Sequence, residues 1–174
     1  MTGLEFLSPG LARPENDFEP IPRSPLEHAL RDAPAHIRDL SGIGKLDVRG
    51  GLDLGRLGED VEVVAITPDR ALVLCPAENV ARHLDLLGGC AGTCAPMCRA
   101  STDVTSALAG LGLEGEQLLR RLTDLDLDAL PATGAVARVP GTLLREGDEF
   151  RLFFPQEYAV HVADVVLDAA AGLR

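Results

Sequence analysis

The spacing of apolar and polar residues predicts a series of short strands. Leu46 and Val48 alternate with charged neighbours, which is the pattern of a half-buried strand. The apolar runs 61–66 and 71–75 flank Thr67-Pro68-Asp69-Arg70, and this arrangement predicts a hairpin in which proline presets the bend. Other segments with strand character are 36–49 (two strands and a turn), 99–113, 134–139, 142–145 and 149–154.

Apolar residues at helical spacing predict three longer helices, at 77–87, 116–123 and 156–170. A shorter helix is predicted to begin at Ser24 and to end before Pro34. Strand pairs alternate with helices, so we predict an α+β fold with an antiparallel or mixed sheet and helices packed on one face. The predicted apolar stripe of the last helix consists of Tyr158, Val162, Val165, Val166 and Ala169.

The first 25 residues contain five prolines, which predicts an extended arm over residues 1–24 and a single domain over residues 25–174. The arm is also rich in apolar side chains. Exposed apolar surface is unfavourable in water, so we expect the arm to dock on its own domain or on a partner. Its large apolar residues are Leu4, Phe6, Leu7, Leu11, Phe18 and Ile21.

The amino-acid composition and charge exclude or disfavour several classes of protein. The 174 residues are 46% hydrophobic, which excludes a disordered chain, and the net charge of −11 disfavours binding to nucleic acid or to anionic membranes. No apolar run approaches the roughly 18 residues of a membrane-spanning helix, and the first ten residues lack the basic region of a signal peptide. We therefore expect a cytoplasmic protein that binds neither nucleic acid nor membranes.

Four cysteines are the most conspicuous candidate ligands. Cys90, Cys94 and Cys98 lie within nine residues of a loop that also contains glycine and proline, and Cys75 ends a predicted strand. Three thiolates, with Cys75 as a candidate fourth, are able to hold zinc or an iron–sulfur cluster. The spacing C-x3-C-x3-C differs from the common zinc and iron–sulfur motifs, so reduced cysteines without a metal are the alternative.

Other polar residues give weaker signals. Glu59 and Asp60 stand at the mouth of the first predicted hairpin, where they are placed to hold a basic nitrogen of a ligand. The histidines are scattered, and the simplest interpretation pairs His83 locally with Asp85 or leaves it in solvent. No nucleophile elbow, phosphate loop or H-x-x-x-H motif occurs. The residues alone therefore indicate an acidic α+β domain without an assembled catalytic site.

Two segments resemble the aminomethyltransferase superfamily, to which the glycine-cleavage T-protein belongs. Residues 39–50 read DLSGIGKLDVRG and resemble its D-[LV]-S-x-x-G-K-x-x-V-x-G segment. Residues 103–123 resemble a later segment of that superfamily, with Glu116 in place of a proline. The resemblance implies the fold of the N-terminal, folate-binding part of these enzymes. Alignment backwards from Cys75 places Asp60 near the superfamily's folate-contacting aspartate.

Over residues 23–171 the chain also resembles the gamma subunits of heterotetrameric sarcosine oxidases. The resemblance rests on RSPLEH at 23–28, LDLD at 125–128 and FRLFFPQEY at 150–158. It implies a non-catalytic subunit of a flavoenzyme complex. Such a complex oxidises sarcosine or a related N-methyl amine and transfers the one-carbon unit to tetrahydrofolate.

The same resemblance implies which partners would hold the cofactors. A beta subunit would carry FAD, and FMN would lie between the alpha and beta subunits. The alpha subunit would hold NAD and the folate-accepting region, and a small delta subunit would hold zinc. Two alternatives remain: a stand-alone folate-binding or one-carbon transferase protein that uses Asp60, and an electron-transfer subunit that uses the cysteines.

Overall fold

The computed structural model describes residues 23–50, 57–88 and 100–173. Within these ranges the chain forms nine strands and three α-helices. The strands are β1 (Ile37–Asp39), β2 (Gly44–Arg49), β3 (Glu62–Thr67), β4 (Arg70–Cys75), β5 (Ala100–Asp103), β6 (Leu108–Glu114), β7 (Ala132–Val136), β8 (Val139–Glu146) and β9 (Glu149–Pro155). The helices are α1 (Val80–Gly88), α2 (Glu116–Leu122) and α3 (Ala159–Ala171).

The strands are divided between two antiparallel sheets. One has five strands in the order β1-β6-β9-β8-β7, and the other has four in the order β3-β4-β2-β5. The α+β class is thus confirmed, and the strand pattern along the chain did not indicate the division into two sheets. Residues 40–43 connect β1 of the five-stranded sheet to β2 of the four-stranded sheet, so this short turn joins them.

Alternating side chains on the strands place the two sheets face to face. Leu72 and Leu74 of β4 pack with Phe153 of β9 in a cluster between the sheets. Their neighbours Val73 and Cys75 belong to a separate cluster with the apolar residues of α1. Because successive side chains of a strand point to opposite faces, the four-stranded sheet lies between α1 and the five-stranded sheet.

The largest apolar cluster lies on the other face of the five-stranded sheet. Phe150, Leu152 and Phe154 of β9 are almost completely buried there, together with residues of α2 and α3. The fold is therefore a stack of helix, sheet, sheet and helices. Helices pack on one face of a sheet as predicted, but the stack contains two sheets where one was predicted. None of the described helices has the length and apolar content needed to span a bilayer.

The structure corrects several local predictions. The segment after Ser24 forms consecutive turns rather than a helix, although Leu26 N–H donates to Ser24 Oγ over 3.0 Å. A short segment between two prolines depends on tertiary contacts for its conformation, and burial of Leu26 anchors this one as turns. The predicted strand 134–139 is interrupted, because Ala137 and Arg138 form the turn between β7 and β8.

The apolar stripe of the last helix also differs from the prediction. Tyr158 ends a 3-10 turn that precedes α3, and 41% of its surface is exposed. The change of helical pitch at this point takes the tyrosine away from the buried face. That face consists of Ala159, Val162, Ala163, Val166 and Ala170. Most of the predicted N-terminal arm, residues 1–22, lies outside the described residues.

Candidate functional site

Asp60 lies immediately before β3, and its carboxylate meets donors from the segment that follows β4. Oδ2 accepts a hydrogen bond from Nδ2 of Asn79 at 2.7 Å and lies 3.3 Å from Nε2 of His83. Nη1 of Arg82 is 3.9 Å from the same oxygen. Asn79 ends the 3-10 turn that leads into α1, and His83 lies four residues later in the first turn of that helix, so both side chains reach the carboxylate from the same side.

His83 is fully buried, which corrects its interpretation as a solvated or locally paired histidine. Its partner is Asp60, 23 residues away in sequence, and not Asp85, which is exposed. Its other ring nitrogen, Nδ1, is buried without a hydrogen-bond partner among the described residues. Nε2 is the ring nitrogen that faces the carboxylate, so we assign a proton to Nε2 as the donor of this hydrogen bond.

The surroundings of Asp60 favour its ionised form. Burial opposes ionisation, but the backbone N–H of Asp60, the hydrogen bond from His83 and the charge of Arg82 hold the pKa of this carboxyl below its ordinary value of 3.8. Asp60 is therefore a carboxylate at neutral pH. Its Oδ1 lies beside Gly58, where an added Cβ would come within 2.7 Å, so this glycine makes room for the carboxylate.

An open groove of about 600 Å³ runs past Asp60. Gly42, Ile43 and Cys75 line it together with four acidic residues, which are Glu59, Asp60, Glu62 and Glu78. A groove lined in this way suits a ligand that presents N–H donors or a positive charge. Glu59 and Asp60 both line this groove, next to the open end of the β3–β4 hairpin.

Lys45 supports one wall of this groove and was not singled out as a functional residue from the sequence. The side chain is completely buried, and Nζ donates to the carbonyl oxygens of Ser41 at 2.8 Å and Ile43 at 2.7 Å. A longer contact of 3.4 Å reaches the carbonyl of Thr105. The ammonium group also lies 5.9 Å from the centre of the Phe153 ring. Lys45 thereby fixes the turn that carries Gly42 and Ile43.

Burial lowers the pKa of Lys45 to about 8, against the opposing attraction of Asp103 and Asp39. The lysine is therefore still largely protonated at neutral pH. One sequence feature pointed to it: Lys45 is the sole lysine of the chain, among 15 arginines, and it follows Gly44 in the DLSGIGK segment. Lys45 falls among the charged positions of an alternating strand pattern, which by itself indicates an exposed side chain. Only the packing of the second sheet shows that it is buried.

Of the four candidate cysteine ligands, the described part of the chain contains Cys75. Cys75 is buried in the cluster between β4 and α1, and burial raises the pKa of its thiol, as do Asp60, Asp103 and Glu78. A raised pKa disfavours the thiolate that metal binding requires. Cys90, Cys94 and Cys98 lie outside the described residues. Over residues 23–50, 57–88 and 100–173 no three metal-ligating side chains form a group.

No protein-family model matches this chain, and no curated protein sequence matches it. Solved structures do match its fold. The model superposes on a chain of the heterotetrameric sarcosine oxidase from Corynebacterium sp. U-96, solved in complex with pyrrole 2-carboxylate, with a TM-score of 0.72 and 20% sequence identity. The match covers 87% of this chain and 95% of that chain.

Two further matches are weaker. Aminomethyltransferase T of the glycine cleavage system from Bartonella henselae gives a TM-score of 0.55 at 18% identity, over 82% of this chain and 48% of that chain. The regulatory subunit of aspartate kinase from Thermus thermophilus, in its ligand-free form, gives a TM-score of 0.50 at 11% identity. That match covers 76% of this chain and 96% of that chain. At these identities the likeness shows a shared fold, namely that of a sarcosine oxidase chain and of about half of an aminomethyltransferase.

Proposed function

We propose that this protein is a non-catalytic gamma-type subunit of a heteromeric flavoenzyme that resembles sarcosine oxidase. The observation that carries the proposal is the extent of the structural match. The superposition spans 95% of one chain of a heterotetrameric sarcosine oxidase but only 48% of an aminomethyltransferase. The chain thus corresponds in size and fold to a whole chain of an oligomeric oxidase and to about half of an aminomethyltransferase.

The sequence resemblance supports the same assignment independently of the superposition. The DLSGIGK segment, which resembles the aminomethyltransferase superfamily, forms the turn between the two sheets and supplies the buried Lys45. The FRLFFPQEY segment, which resembles the gamma subunits, forms β9 and the 3-10 turn before α3. Both segments therefore occupy central positions in the fold, where residue identity is constrained by packing.

In this proposal the redox chemistry takes place on other chains. Larger alpha and beta subunits would hold FAD, FMN, NAD and the folate-accepting region, and a small delta subunit would hold zinc. The complex would oxidise sarcosine or a related N-methyl amine and pass the one-carbon unit to tetrahydrofolate.

Asp60 is the residue through which the chain would contribute to a folate site. Asn79 and His83 both approach Oδ2, so Oδ1 is the oxygen left for a ligand. A pterin ring presents amino and ring N–H donors along one edge. One carboxylate oxygen accepts hydrogen bonds from only some of these donors. The arrangement therefore favours a folate site that is completed by a second chain.

Co-expression with the genes that flank this one tests the subunit proposal. We expect the chain to elute from a sizing column with larger, flavin-containing polypeptides and to be retained when one of those polypeptides is captured through an affinity tag. Elution as an isolated chain of 18.4 kDa in the presence of those partners would contradict it. An Asp85→Asn variant, changed on the exposed face of α1, is a suitable control for the integrity of the complex.

The geometry of Asp60 also supports a second candidate, a stand-alone folate-binding protein. Titration of tetrahydrofolate into the isolated chain separates the two. Micromolar binding that Asp60→Asn abolishes and Asp85→Asn preserves would favour the stand-alone protein. Absence of binding to the isolated chain, together with folate-dependent turnover of the complex, would favour the subunit.

A further inference from the structure

A second groove, on the side of the molecule formed by α2, α3 and the β7–β8 hairpin, has the opposite electrostatic character. It has a volume of about 520 Å³ and shares no lining residue with the groove at Asp60. Three arginines and a histidine line it, which are Arg120, Arg121, Arg138 and His161. This concentration of positive charge occurs in a protein whose net charge is −11.

Two of these guanidinium groups have no carboxylate partner among the described residues. Elsewhere the arginines are mostly paired, as Arg70 is with Asp47 and Arg151 with Glu62. Arg138 makes no hydrogen bond or ion pair within the described ranges, and Arg121 reaches only the carbonyl of Ala169, at 3.3 Å. Arg120 is paired with Glu116 along α2, and Asp124 is the one acidic residue that lines the groove. The groove therefore keeps an excess of positive charge.

The backbone that carries Arg138 is in a strained conformation. Ala137 and Arg138 have φ angles of 51° and 64°, in the left-handed region where such hairpin turns normally have asparagine and glycine. Two contacts from neighbouring helices hold this turn. Ala137 N–H donates to the carbonyl of Leu122 at 2.8 Å, and Nε2 of His161 lies 3.2 Å from the carbonyl of Ala137. Non-glycine residues kept in this conformation occur preferentially at functional sites.

Capping of α2 does not account for the arginines. Basic residues in the last turn of a helix commonly neutralise its free carbonyl groups. Here the backbone N–H of Thr123 already donates a hydrogen bond to the carbonyl of Leu119 at 3.0 Å. The backbone N–H of Ala137 donates to the carbonyl of Leu122. Arg121 donates one hydrogen bond to the carbonyl of Ala169 in the last turn of α3 and keeps its other N–H groups for a ligand. The side chain of Arg138 has no such contact among the described residues, so its guanidinium group is available as a whole.

We propose that this groove binds an oxyanion, a phosphate or carboxylate group of a small molecule. Arg138 and Arg121 are the ligand-contacting residues, because a guanidinium group donates two parallel hydrogen bonds to either type of oxyanion. His161 acts as a positioning residue, since its contact with Ala137 holds the turn. The site is separate from the groove at Asp60 and does not depend on the proposed subunit function.

The test is a titration of the full-length, ¹⁵N-labelled chain with inorganic pyrophosphate and, separately, with citrate, at constant ionic strength. We expect saturable amide shifts confined to residues 120–124 and 135–138. The two titrations distinguish a phosphate ligand from a carboxylate ligand by the lower dissociation constant. Arg138→Gln should weaken binding by about tenfold, the loss expected for one charge-assisted contact. Arg31→Gln, changed at an exposed arginine outside the groove, should bind like the wild type.

A second variant separates the site from general electrostatics. Arg138→Gly should raise the melting temperature, because glycine adopts the left-handed conformation without strain, and should weaken binding about tenfold, as Arg138→Gln does. Shifts that stay linear with both anions, or that are the same in Arg138→Gln and the wild type, would overturn the proposal. An unchanged or lowered melting temperature of Arg138→Gly would show that the turn is not strained. It would then contradict the argument for the oxyanion site that rests on backbone strain.

Discussion

Arg151 of β9 donates from Nη2 to Oε1 of Glu62 of β3 over 2.6 Å, so an ion pair joins the two sheets. The arginine side chain is only 11% exposed, whereas that of Glu62 is 45% exposed. The hydrogen bond that Arg151 donates to Glu62 raises the pKa of the arginine, against the effect of burial. Glu146 lies 3.5 Å from Nε of the same arginine and provides a second, more exposed carboxylate.

Glu62→Gln should lower the free energy of unfolding by about 1 kcal/mol, because Arg151 is mostly buried while its partner is partly in water. Denaturant unfolding measures the change. Arg120→Gln is the matched control, since it removes an exposed i,i+4 pair with Glu116 that is worth about 0.3–0.5 kcal/mol. Equal losses of unfolding free energy in the two variants would show that the ion pair between the sheets stabilises the fold no more than an exposed ion pair does.

Lys45→Met should destabilise the protein at neutral pH. The substitution keeps the apolar stem but leaves the buried carbonyl groups of Ser41 and Ile43 without their donor. An unsatisfied buried carbonyl costs about 1–3 kcal/mol, and urea unfolding measures the loss. A stability equal to that of the wild type would mean that water replaces the ammonium group.

The stability of the wild type relative to Lys45→Met should increase with pH. The pKa of Lys45 is about 8 in the folded state against 10.5 as its ordinary value, so between these pH values the unfolded chain binds more protons. The free energy of unfolding therefore rises across that window. The raised pKa of Cys75 acts in the opposite direction above pH 9, but Cys75 is present in both proteins. A constant difference between the two proteins across the window would refute the lowered pKa.

Gly44→Ala should destabilise the fold by about 1–3 kcal/mol through overpacking. A Cβ at this position would come within 2.5 Å of Val80 Cγ2 and 3.0 Å of Cys75 Sγ, where α1 packs on β2. Gly42, two residues earlier in the same turn, has no atom within 4 Å of such a Cβ. Thermal unfolding should therefore show a large loss for Gly44→Ala and little or no loss for Gly42→Ala, and the reverse order would contradict the packing described.

Asp60→Asn should make the protein less sensitive to acid. The folded-state pKa of Asp60 lies below 3.8, so the carboxylate contributes stability above that pH and loses it as the pH falls through the folded-state value. The wild type should lose stability more steeply than the variant on acidification below pH 3.8. Urea unfolding followed by circular dichroism measures both curves, and parallel curves would show that His83 and Arg82 do not stabilise the ionised form.

The local pattern predicted most elements because each strand and helix buries one face of its own sequence. The alternation at Leu46 and Val48 predicted β2, and the turn around Pro68 predicted the β3–β4 hairpin. The predictions of secondary structure were wrong where contacts with residues distant in sequence determine the local conformation. Tyr158 has helical spacing but precedes α3 in a 3-10 turn, and the segment after Ser24 has a helix-start motif but is held by burial of Leu26.

The sequence by itself determined the α+β class, the order of the elements and Asp60 as a candidate residue, since these depend on local periodicity and on motifs. Only the tertiary structure decided that the strands form two sheets, that His83 meets Asp60 and that Lys45 is buried. Each of these depends on contacts between residues 23 to 60 or more positions apart. Periodicity specifies which face of an element is buried, but it does not specify which other element covers that face.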